Sequence, residues 1–407
     1  MRALHGCAVT LLLALTACAS GRAETGDESS GALSSPAVTW KTELPDTSCD
    51  LWHASIHVGP DGTVYVVQDS VLTAYTPAGA VKWSAEAGQS LYGATVGASE
   101  IYAVGSSNHY GRRSLFAFDA VTGKKTVLHQ DAVAPDQLGF TTIRARSDGQ
   151  IEFGPNIGTG FLFDPVSRAV KPTGRVDGLA LAGGARINAV VDPNGGPVKL
   201  QKLDASGAVQ WLVPHMTAEG VDEASGTVYA FDDSGGPYMA ELVGLDVASG
   251  AVRWRAGHNY EVRSHYHQLV VLSDGSAVLV YDAKRANAVD TWDAMLERRS
   301  ATGALIHATA IPNAFMTPTQ PRAINGIVAD GSSVYVSGDH LLRAYDGAGH
   351  VTWTLEEPPY GDPASPIFPT AMTVGANHTL FGVTAPYRYQ SQPQTPACSK
   401  GTLMKVH

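Results

Sequence analysis

The feature that most constrains the fold is a unit that recurs along the chain: an apolar β run, then a hairpin whose turn often carries Gly and whose second strand often ends in Trp. Its clearest copies are Leu72–Trp83 (LTAYTPAGAVKW), Leu203–Trp211, Leu245–Trp254 and Ala344–Trp353. Weaker copies are Ala117–Lys124 (AFDAVTGK), Phe161–Arg168 (FLFDPVSR) and Arg299–Leu305, which makes seven hairpins. In each turn an Asp or Thr can bond the local backbone, Gly supplies the positive φ of a tight turn, and alternating apolar residues bury one strand face. The Trp is expected to seal the neighbouring unit.

Upstream of each hairpin lies a further β run: Thr63–Val67, Ile101–Val104, Ile151–Phe153, Ile187–Val190, Thr227–Phe231, Ala277–Tyr281 and Val334–Val336, with Thr379–Val383 as an eighth that has no hairpin after it. A circular offset resolves the mismatch. The C-terminal Thr402–Val406 is then the third strand of a last blade, and Val38–Trp40 near the N-terminus is its fourth. Spacings of roughly forty to fifty residues fit four-stranded blades. The expected fold is all-β: an eight-bladed β-propeller of antiparallel blades over residues 37–407, closed by the N-terminal strand.

The copies resemble the pattern Ala-x-Asp-x-x-Thr-Gly-Lys-x-x-Trp of PQQ-like (quinoprotein-type) repeats, matched in pieces over nearly the whole chain. Such repeats occur in quinoprotein dehydrogenases and in the propeller lipoprotein of the outer-membrane β-barrel assembly machinery. The resemblance implies the fold. It does not by itself assign an activity, because propellers host unrelated functions.

The N-terminus has a charged start (Met1-Arg2), a short apolar run from Ala8 to Leu15, and Leu15-Thr-Ala-Cys18. It reads as an export signal over 1–17 ending in a lipobox, with Cys18 the lipidated residue, so the chain is expected to be exported and lipid-anchored at a cell or outer membrane. Residues 18–36 are Ser, Gly, Ala, Glu and Asp with little to bury, and read as a tether. Of the four cysteines, Cys49 and Cys398 then remain for the folded part, in an oxidising compartment; a single disulfide between them would pin the ring's seam. The formal net charge of −10 and the scattered basic residues exclude a nucleic-acid footprint.

In a blade of this type the turn joining the third and fourth strands points to one side of the ring. The loops between the second and third strands, and those between blades, point to the other. That second face receives the long, varied segments and is the candidate binding face. Assigned to it or its approaches are Trp52, His53, Tyr92, His109, Tyr110, Tyr238, Tyr260, Arg263, His265, His267, Trp292, Arg322, Tyr360, Tyr387, Arg388 and Tyr389. Aromatics with Arg suit a protein contact. The competing reading is the ordinary lining of a propeller mouth.

His265 and His267, or His53 and His57, share a strand face and could present two imidazoles, but no third ligand is evident, so no metal is expected. Asp192-Pro-Asn-Gly-Gly and Asp232-Asp-Ser-Gly-Gly read as turns rather than calcium loops. No phosphate loop, nucleophile elbow or zinc-protease motif is present. Quinone enzymes with these repeats generally carry an adjacent-cysteine pair, which this chain lacks, so no cofactor and no catalytic residue is expected. The first functional reading is a non-catalytic envelope scaffold for an unknown envelope protein. The alternatives are a ligand-binding or enzymatic propeller using the channel mouth, and a structural or adhesion repeat protein.

Overall fold

The computed structural model describes residues 36–44, 54–107, 112–131, 139–146, 148–155, 159–173, 176, 178–190, 197–235, 239–257, 260–261, 268–284, 292–311, 324–338, 341–356, 371–384 and 402–406. These form eight antiparallel sheets in a ring, seven of them sequential and one shared by the two ends of the chain. Blade 1 comprises Ser55–Val58, Val64–Gln68, Val71–Tyr75 and Val81–Glu86, hydrogen-bonded in chain order. Blades 2 to 7 repeat that order, with inner strands Ser90–Val96, Thr142–Ala145, Leu179–Ala180, Met216–Asp222, Gln268–Val271 and Ile324–Asp330. Blade 5 gains a short strand, Tyr260–Glu261, beside Met239–Asp246.

Blade 8 runs Ala371–Gly375, Thr379–Thr384, Thr402–Val406 and then Val38–Glu43. The closing pair is antiparallel, with Trp40 opposite Lys405 and Glu43 opposite Thr402. The expected eight blades and the offset closure are both borne out. Closing in this way pairs the N-terminal strand with the end of the chain and leaves the ring no unclosed gap.

The repeat's turn chemistry is plainly visible. The Asp119 carboxylate accepts the Thr122 N–H at 2.7 Å and the Thr122 hydroxyl at 2.8 Å, and Gly123 takes φ +71°. These bonds, first the side-chain and then the backbone one, hold the Asp119 carboxyl below the usual range. In blade 3 the left-handed position is taken by Arg168 at φ +59° instead of Gly.

The Trp residues act between blades. The indole N–H of Trp40, Trp83, Trp211 and Trp254 donates to a carbonyl in the next blade's turn: Pro77, Ala120, Val247 and Ala301, at 2.9 to 3.1 Å. Each ring lies so close over the next turn's glycine that a Cβ on Gly79, Gly123, Gly250 or Gly303 would fall within 2.8 Å of it. In blade 6 His307 stands in the Trp position and covers Gly349 in the same way. Burial, and after it the positive charge of Arg298, lowers the His307 pKa.

Apolar clusters fill seven of the eight seams between neighbouring blades. Seam 4|5 is typical, with Leu181, Ile187, Leu200 and Trp211 meeting Met216, Val228, Val243 and Leu245. Seam 3|4 has no such cluster among the described residues. Its buried apolar residues include Leu203, opposite Arg186, and Val176, packed so tightly that a Cβ on Gly160 would overlap it.

Candidate functional site

Strand direction divides the ring into two unlike faces. On one, the described connections are tight turns, such as 76–80, 120–124 and 247–251 between third and fourth strands and 59–63 between first and second. At the other end, second strands stop and third strands start, and each blade hands over to the next; the strand ends there include Lys284 and Trp292, and Thr384 and Thr402.

Three of the predicted face residues fall on described strands, and topology brings all three to the elaborated end. Tyr92 sits near the start of the inner strand of blade 2, half-buried, with its hydroxyl pushed up by burial and then by the Asp69 charge. Tyr260 pairs with Ala240 in blade 5, and Trp292 pairs with Lys284 in blade 6. Trp52, His53, His109, Tyr110, Tyr238, Arg263, His265, His267, Arg322, Tyr360, Tyr387, Arg388 and Tyr389 lie outside the described residues, as do Cys18, Cys49 and Cys398.

A cluster that sequence reasoning missed stands at the same end of seam 2|3. The Arg113 guanidinium lies 4.8 Å over the Phe140 ring and 3.4 Å from an Asp131 carboxylate oxygen. His129 is 3.0 Å from the other Asp131 oxygen, and its ring sits 4.8 Å from Phe161 and 5.8 Å from Phe153. Phe140 and Phe153 are fully buried and fix the geometry, while Arg113, His129 and Asp131 stay partly open to solvent. No sequence signal marks the cluster. Its members come from four strands and a loop, and each looks ordinary in its own strand.

The opposite, plain face holds a cavity of about 1050 Å³, formed by turns of blades 1, 2, 3 and 8, with Gly59, Gly97, Glu100, Asp119, Arg168 and Ala376 in its wall. Arg168 and Tyr102 both donate to one Glu100 oxygen, Tyr102 at 2.9 Å, and burial drives the Tyr102 hydroxyl's pKa up. The wall is mostly turn backbone, which is why no motif announced it. It is a recess rather than an arrangement of reactive groups.

Among the described residues no group of three His, Cys, Asp or Glu is placed to hold a metal ion. His57 instead faces Ser55, with Nε2 and Oγ 3.2 Å apart, and burial lowers its pKa to about 4. The Asp232 loop is a turn: one carboxylate oxygen accepts the Ser234 N–H at 3.0 Å and the other the Arg255 guanidinium at 2.8 Å. No helix among the described residues is long and apolar enough to cross a membrane.

The fold and its repeats define an eight-bladed β-propeller with one plain and one elaborated face. A family profile described as outer membrane protein assembly factor BamB matches residues 24–160, about a third of the chain. Among solved structures the chain is similar to BamB from Moraxella catarrhalis (17% identity, TM-score 0.53, covering 90% of this chain and 98% of that one). It is also similar to the C-terminal WD40 domain of Sif2 (10%, TM-score 0.56, 93% and 100%) and to Sqt1 from Saccharomyces cerevisiae (8%, TM-score 0.52, 87% and 95%). No curated protein sequence matches. The match over residues 24–160 is what the turn and Trp pattern implied for that stretch, and the solved structures show the propeller fold of the whole.

Proposed function

We propose that this protein is a lipid-anchored cell-envelope scaffold that holds a protein partner on the elaborated face of its ring. The observation that carries the reading is the division between the faces. One is reduced to short turns stitched by their own Asp, Ser and Thr side chains, whereas at the other the described strand ends are separated by longer stretches of sequence, as between Thr384 and Thr402. A scaffold that spends its chain length on one face presents that face for contact. The family profile, described by its assembly factor, supports the broad role, and no partner-binding residue is carried over from it. Cys18 is the anchor, residues 1–17 its signal, 18–36 its tether, and a Cys49 to Cys398 disulfide ties the seam.

The test is crosslinking in solubilised envelope followed by affinity capture, comparing the parent with a variant carrying Tyr92→Ala, Trp292→Ala and Arg322→Ala. The expected result is a defined envelope protein captured by the parent and lost from the variant, while both melt at similar temperatures. Equal capture by both would overturn the assignment of the face. Cys18→Ser should release the protein from membranes, and non-reducing peptide mapping should recover the linked Cys49 and Cys398 peptides.

A further inference from the structure

Among the described residues, the seam between blades 3 and 4 buries a charged network without the apolar cluster that accompanies buried charge such as Glu297, Arg298 and Arg299 elsewhere in the ring. Alternation along the strands explains which side chains meet there. Ile187 belongs to seam 4|5, so Arg186 and Asn188 on either side of it turn toward blade 3. Ile151 and Phe153 belong to seam 2|3, so Glu152 between them turns toward blade 4. Glu152 and Asn188 are each 1% exposed and Arg186 is 7% exposed.

One carboxylate serves two guanidinium groups. Glu152 Oε2 accepts from Arg144 Nε at 2.6 Å, and Oε1 accepts from Arg186 Nη2. Arg144 Nη1 donates to the Gly178 carbonyl at 2.8 Å. Four buried atoms have no hydrogen-bond partner among the described residues: Arg144 Nη2, Arg186 Nη1 and both amide atoms of Asn188. Three of the four are donors. An arginine cannot shed its proton to escape burial, so among the described residues two guanidinium groups against one carboxylate leave a surplus positive charge. The paired positions on these strands supply no second carboxylate among the described residues. Leu162 lies opposite Glu152, Leu203 opposite Arg186 and Gln201 opposite Asn188.

We propose that seam 3|4 binds one small monovalent anion of the halide class, held by the free N–H groups of Arg144, Arg186 and Asn188. The ion supplies the missing negative charge and accepts the orphaned donors, so seam 3|4 closes as a neutral unit. It is a structural ion, independent of any partner on the elaborated face.

The test uses the full chain in sodium bromide against sodium gluconate at constant ionic strength. The thermal midpoint should rise with each tenfold increase in bromide, as expected of a ligand that binds the folded state alone. Asn188→Asp places a carboxylate within the same shape. It should raise the midpoint in gluconate and abolish the bromide response. A bromide-soaked crystal should show an anomalous peak between Arg186 and Asn188. Equal midpoints in both salts with no peak, or an Asn188→Asp variant that loses stability and keeps its bromide response, would mean ordered water only and would overturn the site.

Discussion

Blade 4 has two unlike neighbours. Toward blade 5 it presents Leu181, Ile187, Leu200 and Trp211, and the Trp211 indole reaches over to cap the next turn at Val247 and Gly250. Toward blade 3 it presents Arg186 and Asn188, and the last strand of blade 3, Val170–Pro172, brings no Trp to cover Gly207. One seam is held by non-directional burial of hydrocarbon, the other by a few oriented polar contacts. The first tolerates small shifts, while the second loses its bonds when geometry or charge changes.

The largest effect is expected where the apolar seam is cut. Trp211 is 8% exposed and makes both a packing contact and a hydrogen bond, so Trp211→Ala should cost about 3 to 5 kcal/mol. Urea unfolding followed by tryptophan fluorescence and circular dichroism would measure it. A loss under about 1 kcal/mol would mean that the cap does little for the ring, and the contrast between the seams would fail.

Titration sharpens the comparison next, because an arginine seam cannot discharge itself but a buried histidine can. His57, on the inner strand of blade 1, has a folded-state pKa of about 4 against the ordinary 6.5, through burial. As pH falls below 6.5 the unfolded chain takes up a proton that the folded chain refuses, so stability drops until about pH 4 and is flat above 6.5. The full difference is up to about 3 kcal/mol. His57→Gln should flatten this part of the stability profile; an unchanged slope between pH 6.5 and 4 would place the titrating group elsewhere.

What the sequence disclosed follows the same division. Every second strand lay within an apolar run, and the hairpins announced themselves through Asp, Gly and Trp, because those strands are buried on both faces and those turns need particular residues. The inner strands were not legible. Gln268–Val271 and Ala371–Gly375 are half-buried throughout, facing the channel, and show no alternation to read. The Arg186 and Glu152 network was invisible for a different reason: its members sit thirty-four positions apart inside strands that looked apolar. Of the candidate face, Tyr92, Tyr260 and Trp292 lie on described strands, brought to one end by register rather than by any motif.

A pair of glycines isolates the cap itself. Gly207 and Gly250 have φ of +86° and +73°, so an alanine at either is strained by about 1 to 2 kcal/mol. Nothing lies within 4 Å of a Cβ at Gly207, whereas at Gly250 it would meet the Trp211 ring at 2.8 Å. Gly250→Ala should therefore be the more destabilising in urea titrations. Restoring Gly207-like behaviour to Gly250→Ala by adding Trp211→Ala would confirm the overlap as the cause. Equal losses at the two glycines would show that the ring yields without cost.

The smallest effect is expected at the turn where blade 3 departs from the repeat. Arg168 holds the left-handed backbone that glycine holds elsewhere, at φ +59°, and Arg168→Gly would relieve a strain of about 1 kcal/mol. The same change removes the Arg168 to Glu100 pair across seam 2|3, whose arginine is 41% exposed, and pairs so open contribute about 0 to 1 kcal/mol. It also strips the guanidinium from its place 5.6 Å over Phe163. Backbone relief and lost contacts oppose each other, so the net change should stay within about 1 kcal/mol of zero. A salt titration separates them. Raising salt weakens the exposed pair in the parent while leaving the backbone term untouched, so the variant should gain on the parent as salt increases. A difference that ignores salt would mean that Arg168 is kept for its backbone or ring contact and that the pair to Glu100 contributes nothing to this seam.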